Sequence, residues 1–341
     1  MGSSDSSSLS AIVPGLIDGA SKHRDGVSVD CLPVYVKELI AGGASGGFAK
    51  TAVAPLERIK ILFQTRTEGF RSLGVCGSFK KLTKQEGMQG LYKGNGASIL
   101  RIVPYAAVHY MSYERYRAWL RNNCDLVGTG PVVDLLAGSA SGGTAVLCTY
   151  PLDLVRTKLA YQVADSRINL TSSMSHVPYS PSYNGIQDTF KKVYNEGGVR
   201  ALYRGVGPTL VGILPYAGLK FYIYEELKSR VPEEHQKSYT LHFSCGALAG
   251  LFGQTLTYPL DVVRRQMQVE NSQHGSAQYK NTFDGLVGIM RNQGCRQLFA
   301  GLSINYLKVV PSVAIGFTMY DYMKSLLHIS SEDRSRAVSH G

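Results

Sequence analysis

Three short stretches constrain this chain more than any other feature: Pro55-Leu56-Glu57-Arg58-Ile59-Lys60, Pro151-Leu152-Asp153-Leu154-Val155-Arg156 and Pro259-Leu260-Asp261-Val262-Val263-Arg264. Each places an acid two residues and a base five residues after a proline, at the end of a small and apolar run. The prolines lie 96 and 108 residues apart, so one unit of about 100 residues occurs three times, well beyond the period of a solenoid repeat. Proline inside a helix removes a backbone hydrogen bond and kinks it. The acid and base, three residues apart, share one helical face. Three such helices leaning together would bring three acids and three bases to one level. An ionised side chain at membrane depth faces a cavity or a partner. The simplest satisfied arrangement is a ring, each acid paired with a neighbour's base, that shuts one end of a bundle. The plainer alternative is three solvated helix ends with charges at helical spacing.

Composition fits a membrane bundle with a wet interior: 44% hydrophobic and 18% charged is too polar for helices buried in lipid on every face. The net charge of +11 suits an anionic substrate, anionic lipid or nucleic acid. Six cysteines, at 31, 76, 124, 148, 245 and 295, show no ligand spacing and read as free thiols. With no P-loop, zinc spacing or nucleophile elbow, neither an enzyme nor a bound metal or cofactor is expected. Residues 1–32 are Ser-rich and read as a disordered extension without a signal or transit peptide, so any mitochondrial targeting signal would be internal. Met1 to Ser6 fits the short myristoylation pattern.

Repeat one, residues 33–125, starts near Pro33 with a long helix through Pro55 to about Gln64. Gly42 and Gly46 on it read as a small-xxx-small face for close helix approach, as do Gly138 with Gly142 and Gly246 with Gly250 in the later repeats. A short amphipathic helix over about 74–86 ends at Glu86-Gly87, and Tyr92-Lys93-Gly94 opens a second long helix through Pro104. Repeat two, residues 126–233, copies the order and adds a Ser/Pro-rich insertion at 163–182, expected to be a mobile loop. Tyr183-Asn184-Gly185 precedes its short helix, Glu196-Gly197-Gly198 ends it, and Tyr203-Arg204-Gly205 opens the helix carrying Pro215. In repeat three, residues 234–328, Phe283-Asp284-Gly285 is expected to precede the short helix, Gln293-Gly294 replaces Glu-Gly, and Phe299-Ala300-Gly301 lacks the base. Its last helix holds Pro311, and residues 329–341 form a polar tail. A second set of charges follows aromatics at the far ends of the even helices: Glu114 with Arg117, Glu225 with Lys228, and Asp321 with Lys324. Two charged rings at opposite ends of one cavity define alternating access.

Over residues 33–328 these motifs resemble the mitochondrial carrier family. Its pattern is proline, acid and two bases, then acid-glycine and aromatic-base-glycine, repeated three times, with aromatic-acid-base on the even helices. The resemblance implies an all-α membrane protein: six transmembrane helices about a pseudo-threefold axis, three short matrix helices and a central cavity. It implies pairing of Glu57 with Arg156, Asp153 with Arg264, and Asp261 with Lys60 in a matrix gate. Gln64 and Gln268 would brace that ring, Ala160 provides no brace, and Leu62 and Gln266 depart from the second basic position. It also implies a monomer that binds cardiolipin at the starts of the even helices, where backbone amides favour anions.

The family's substrate contacts lie midway along the even helices. Carried over, they fall on Arg101, Tyr105 and His109, on Gly212, Ile213, Tyr216 and Lys220, and near Lys308, Val309 and Val313, with Lys50 added from the first helix. Arg101, Tyr105 and His109 form one stripe, a pattern common in cores, but arginine at membrane depth is not a core residue. Lys50, Arg101, Lys220 and Lys308 suit a polyphosphate. Gly212-Ile213 resembles the contact of adenine-nucleotide carriers, with Tyr216 stacking on the ring; helix crossing is the alternative for Gly212. His109 is open between a contact and a packed neutral ring. Residues 1–32 contain no EF-hand loop, and Arg264-Arg265-Gln266 lacks the three arginines of ADP/ATP exchangers. The overall pattern is most similar to mitochondrial coenzyme A carriers.

The leading expectation is therefore import of coenzyme A across the inner membrane in exchange for an adenine nucleotide. The alternatives are a carrier of ADP/ATP, ATP-Mg or adenosine 3′,5′-bisphosphate, an anion or proton leak, and a soluble nucleic-acid-binding repeat protein. The Gly-patterned spans argue against the last, so no nucleic acid partner is expected.

Overall fold

A computed structural model describes residues 34–67, 70, 73–123, 131–163, 183–230, 239–269, 279 and 281–327. The Ser-rich extension with its myristoylation pattern, the insertion beyond Val163, the polar tail, Cys31 and Cys124 lie outside the described residues.

All regular structure among the described residues is helical. The odd transmembrane helices are α1 (Val34–Gln64), α4 (Pro131–Tyr161) and α7 (Tyr239–Val269). The even ones are α3 (Asn95–Asn123), α6 (Val206–Ser229) and α9 (Leu302–Leu326). Between them lie the short helices α2 (Gly74–Gly90), α5 (Ile186–Leu202) and α8 (Thr282–Gln293), the last followed by a 3₁₀ turn over Cys295–Phe299. Each long helix contains its proline at 55, 104, 151, 215, 259 or 311. The 31-residue odd helices reach roughly 45 Å at 1.5 Å per residue, enough to span a bilayer when tilted. By apolarity, three helical stretches meet the requirement for a span, at Val132–Tyr161, Val206–Ser229 and Cys295–Leu326. The long helices α1, α3 and α7 are more polar because they turn charged faces inward.

The even helix of each repeat packs lengthwise on the odd helix of the next: α3 on α4, α6 on α7, and α9 back on α1. The sixth helix thus closes on the first, giving the six-helix pseudo-threefold bundle. At one end the odd helices converge at their prolines, and the short helices seal that end with equivalent apolar clusters. Leu62 packs with Phe70, Leu82 and Leu91; Leu154 with Val193 and Leu202; Val263 with Ile289 and Leu298.

The short helices break at their glycines, as the motifs predict. Gly87 leaves helical geometry within α2, and Gly197 and Gly198 do so within α5. Gly294 follows α8 directly. Phe283-Asp284-Gly285 differs from its expected place: α8 begins at Thr282, so these residues form its first turn. Asn281 adopts extended geometry before the helix, which thus starts four residues earlier than expected.

Gly94, Gly205 and Gly301 precede the three even helices, all with φ near +80°. A Cβ on Gly94 would lie 2.7 Å from the Arg156 carbonyl oxygen. Gly205 and Gly301 meet the carbonyls of Arg264 and Lys60 in the same way, so each even helix starts directly against a gate base of the next repeat. Gly94→Ala is expected to cost about 1–3 kcal/mol, from strain at positive φ together with the backbone clash. Its thermal unfolding midpoint, compared with wild type, checks this.

The small-xxx-small faces act differently from expectation. A side chain on Gly42, Gly138, Gly246 or Gly250 would meet nothing within 4 Å. Of that set only Gly46 approaches a neighbouring helix closely, 3.5 Å from Ile102. The near contacts fall instead on Gly43 against Val103, Gly143 against Leu210, and Gly253 against the α6 backbone. The face read from sequence spacing therefore borders open space, one residue away from the packed face.

Candidate functional site: a charged ring beneath a basic cavity

At the convergent end the three motif pairs meet as a ring. Lys60 donates to Asp261 at 2.9 Å, Arg264 to Asp153 at 2.6 Å, and Arg156 contacts Glu57. These contacts cross between repeats because each odd helix presents its acid to one neighbour and its base to the other.

Two links are braced from below. Gln64 donates to Asp261 at 3.1 Å and Gln268 to Asp153 at 3.0 Å. Each glutamine also donates to a tyrosine hydroxyl, Gln64 to Tyr258 and Gln268 to Tyr150. Those tyrosines immediately precede the prolines and donate onward to the Ala300 and Arg204 carbonyls, both at 2.8 Å. Sequence analysis did not find them. The third link lacks both parts of the brace, since Ala160 stands at the glutamine position and Ala54 at the tyrosine position.

Arg58 occupies that gap. It stands where the other repeats have buried Leu154 and Val262, yet it is only 1% exposed. Its guanidinium donates to the Ala160 carbonyl at 3.1 Å, the Gln162 carbonyl at 2.7 Å, Glu86 at 2.7 Å and the Gly90 carbonyl. Glu86 also pairs with Lys93 at 3.0 Å. Arg58 thereby replaces the missing base at Leu62, which is buried among apolar side chains. In repeat two the regular base works: Lys158 reaches Glu196 at 3.4 Å. In repeat three both charges are gone together, and Gln266 and Gln293 exchange hydrogen bonds at 3.0 and 3.1 Å. The two departures compensate, so the short helix stays tied without a charge.

Asp153 is the hub. Besides Arg264 it receives Arg101 at 2.8 Å and Arg265 at 3.3 Å. Arg265 continues to Thr157 at 2.5 Å and to the Gln268 amide oxygen at 2.9 Å. Its neighbour Arg264 hid its part in the sequence motif.

Above the ring lies a cavity of about 430 Å³, with Lys50, Arg101, Arg156, Ile213, Arg264 and Lys308 coming one from each long helix. Tyr105, Gly212 and Tyr216 also line it. The expected cations are held by the gate acids: Arg101 by Asp153, and Lys308 and Lys50 by Glu57 at 3.2 and 3.7 Å. Arg101 also sits over the Tyr105 ring, 5.1 Å from its centroid. His109 lies further along α3, near Tyr105, in a side cleft.

Three candidates lie elsewhere. Lys220 is exposed and outside the cavity lining, and so are the half-buried Val309 and Val313. On α9 the lining passes instead through Lys308 and Asn305, one turn towards the ring. Asn305 accepts from Lys60 at 3.0 Å, and its buried Nδ2 has no partner among the described residues. The hint in the sequence is asymmetry: Ser98 and Thr209 hold the same place in the other repeats.

The opposite end is open. Glu114, Glu225 and Asp321 are exposed, and among the described residues none pairs with Arg117, Lys228 or Lys324. Arg117 turns to Asp134 on α4 at 2.7 Å.

A helical bundle shut by a charged ring at one end, open at the other and cationic between is the architecture of a membrane carrier. Comparison with known proteins gives the same class. The pattern described as mitochondrial carrier protein matches residues 33–123, 128–235 and 235–331. Mitochondrial carrier protein CoAc1 of Zea mays is 66% identical, covering 93% of this chain and 95% of its own length. Its Arabidopsis thaliana counterpart of the same name is 62% identical over 98% and 99%. The mitochondrial adenine nucleotide transporter ADNT1 of Arabidopsis thaliana is 37% identical over 94% and 96%. The chain belongs to the mitochondrial carrier family and is a transporter, not an enzyme.

Proposed function

We propose that the protein is a multi-pass carrier of the mitochondrial inner membrane that brings coenzyme A into the matrix in exchange for an adenine nucleotide. The observation that carries this reading is the shared use of cations by cavity and gate. Arg101, Lys50 and Lys308 line the substrate cavity while engaged with Asp153 and Glu57. An entering phosphate competes for the same cations, Arg101 with its planar fork and the lysines as mobile point charges. As each cation turns to phosphate, its gate acid loses a partner and the ring weakens. The switch follows because substrate then binds the loosened state better than the closed one; equal affinity would shift nothing. The ring around Glu57, Asp153 and Asp261 is the matrix gate, with Lys60, Arg156 and Arg264 as partners and Gln64 and Gln268 as braces. The charges at 114, 117, 225, 228, 321 and 324 form the cytoplasmic gate, open in this conformation.

Gly212 and Ile213 line the cavity, with Tyr216 one turn further on, a set that suits a flat ring. The names CoAc1 and CoAc2 among the relatives support coenzyme A. The relative named as an adenine nucleotide transporter favours the second reading, a carrier of ADP, ATP or adenosine 3′,5′-bisphosphate by the same mechanism.

Uptake of labelled coenzyme A into liposomes containing the purified protein tests the proposal, with coenzyme A, ADP, adenosine 3′,5′-bisphosphate or buffer inside. Saturable uptake that requires internal substrate is expected. Exchange of ADP or ATP without coenzyme A would select the second reading. In the same assay Arg101→Ala is expected to lower exchange by about two orders of magnitude, since a charged hydrogen-bonding group is lost from a desolvated site. Lys220→Ala is expected to lose much less, because its side chain lies outside the cavity. Comparable losses would place Lys220 in the binding step.

A further inference from the structure

The basic cavity does not end at Ile213. A side cleft of about 320 Å³ runs from it between α3, α4 and α6. The two spaces adjoin, sharing Tyr105, Val146, Ile213 and Tyr216 as lining residues. The cleft exists because α4 presents Gly138 and Gly142 to it. A Cβ on Gly138 would meet nothing within 4 Å, and one on Gly142 only Ile213 at 3.9 Å. Those glycines leave a trough where ordinary side chains would fill the gap.

Its chemistry differs from that of the cavity it joins. The ring-level cavity is crowded with cations, whereas the cleft has apolar walls at Leu135, Val146 and Ala217. Its one acid, Asp134, is already paired with Arg117 and Tyr113. Tyr105, Tyr216 and His109 also line this trough, and none of the three has a hydrogen-bond partner among the described residues. An extended, uncharged chain with hydrogen-bonding groups at intervals fits such a surface. A compact polyphosphate does not. The total space also falls in the range of roughly 300–1,000 Å³ usual for small-molecule sites.

We infer that the cleft holds the linear amide-bearing arm of coenzyme A while its phosphates sit on the cations of the main cavity. The inference rests on the proposed function and adds the origin of selectivity. Adenine nucleotides without the arm use only the shared cavity. Apolar walls contact the geminal dimethyl and methylene groups, and the tyrosine and histidine tips meet the amides and hydroxyl. Hydrogen-bonding sites of this kind discriminate strongly, because a ligand lacking the groups leaves them unpaired.

The test uses the full chain in detergent and follows ligand-dependent shifts of thermal unfolding. The two ligands are coenzyme A and adenosine 3′,5′-bisphosphate, which is its nucleotide part without the arm. Wild type is expected to bind coenzyme A more tightly. Gly138→Leu and Gly142→Leu, made separately, put a side chain into the trough at positions where a Cβ meets no backbone of a neighbouring helix within 4 Å. Each is expected to lower the preference for coenzyme A over the bisphosphate by about tenfold or more. The unliganded midpoints of both variants confirm folding, and His109→Ala, which removes bulk instead of adding it, is expected to shift the preference in the same direction. Variants that bind both ligands as wild type does, or lose both equally, would overturn the cleft assignment alone. A wild-type protein that binds the bisphosphate but not coenzyme A would overturn the proposed substrate and the cleft assignment with it.

Discussion

Arg58→Met is expected to lower folding stability by about 3–5 kcal/mol, the usual cost of removing one partner from a buried charged pair. Methionine fills much of the same space, so the loss isolates the polar contacts. Without the guanidinium, Glu86 keeps Lys93 but loses its buried partner, and the carbonyls of Gly90, Ala160 and Gln162 lose a donor. These groups join α1, α2 and the end of α4, so one side chain ties repeat one to repeat two. Differential scanning measurements should place the unfolding midpoint on the order of 10 °C below wild type. Arg58→Lys should recover only part of this, because a single ammonium cannot replace a fork bonded on several sides. An unchanged midpoint in the methionine variant would mean that the apolar residues found at this place in the other repeats serve equally well.

The second large effect is expected at the hub. Asp153→Asn keeps the shape but removes the carboxylate that pairs directly with Arg101, Arg264 and Arg265. Uncompensated buried charge again costs about 3–5 kcal/mol, and here the cost falls mainly on the conformation with the ring closed. A penalty of that size moves a two-state population by roughly two to four orders of magnitude. Exchange in liposomes should fall accordingly, while the protein remains folded and inserted. Gln268→Leu should have a smaller effect alone, since Arg101, Arg264 and Arg265 still hold the Asp153 carboxylate. Combined with Asp153→Asn it should add little, because the brace has no anion left to hold; full additivity would contradict the coupling of brace and ring. Undiminished exchange by folded Asp153→Asn would remove the ring from the mechanism.

The repeat makes these predictions specific, because each position can be compared with its two equivalents. Glu57–Arg156 is the link without a glutamine and tyrosine beneath it, and Lys50 and Lys308 of the cavity lie closest to its acid. Asp153–Arg264 is both braced and shared with two further arginines. A nominally threefold ring is therefore uneven, with its unbraced link beside two cavity lysines.

Much of this architecture was legible in the linear chain because it is written in local spacing. The proline kinks, the acid and base three residues apart, and the glycines ending the short helices each depend on a few neighbouring residues. Helical geometry converts that spacing into direction. Three copies then determined the closure of the bundle, since a repeated unit leaves few ways to satisfy three like sets of charges. Which acid meets which base, and the bracing by Gln64 and Gln268, came from the resemblance to the carrier family.

What the tertiary structure alone decided are contacts between positions about a hundred residues apart that no spacing relates. Arg58, to which the first motif assigned no role, proved to be a buried tie, because carbonyls at the end of α4 and after Gln89 come within its reach. Tyr150 and Tyr258 looked like residues preceding proline and proved to be relays to the braces. Gln266 and Gln293 looked like two separate losses and proved to be partners. Lys220 looked equivalent to Arg101 in charge, yet it stands one turn beyond Tyr216, past the lining of the ring-level cavity. Gly138 and Gly142 looked like a packing face, yet α4 turns them towards open space. In each case the composition of a helix was readable from sequence, whereas its rotation and the reach of its side chains depend on how all six long helices pack together.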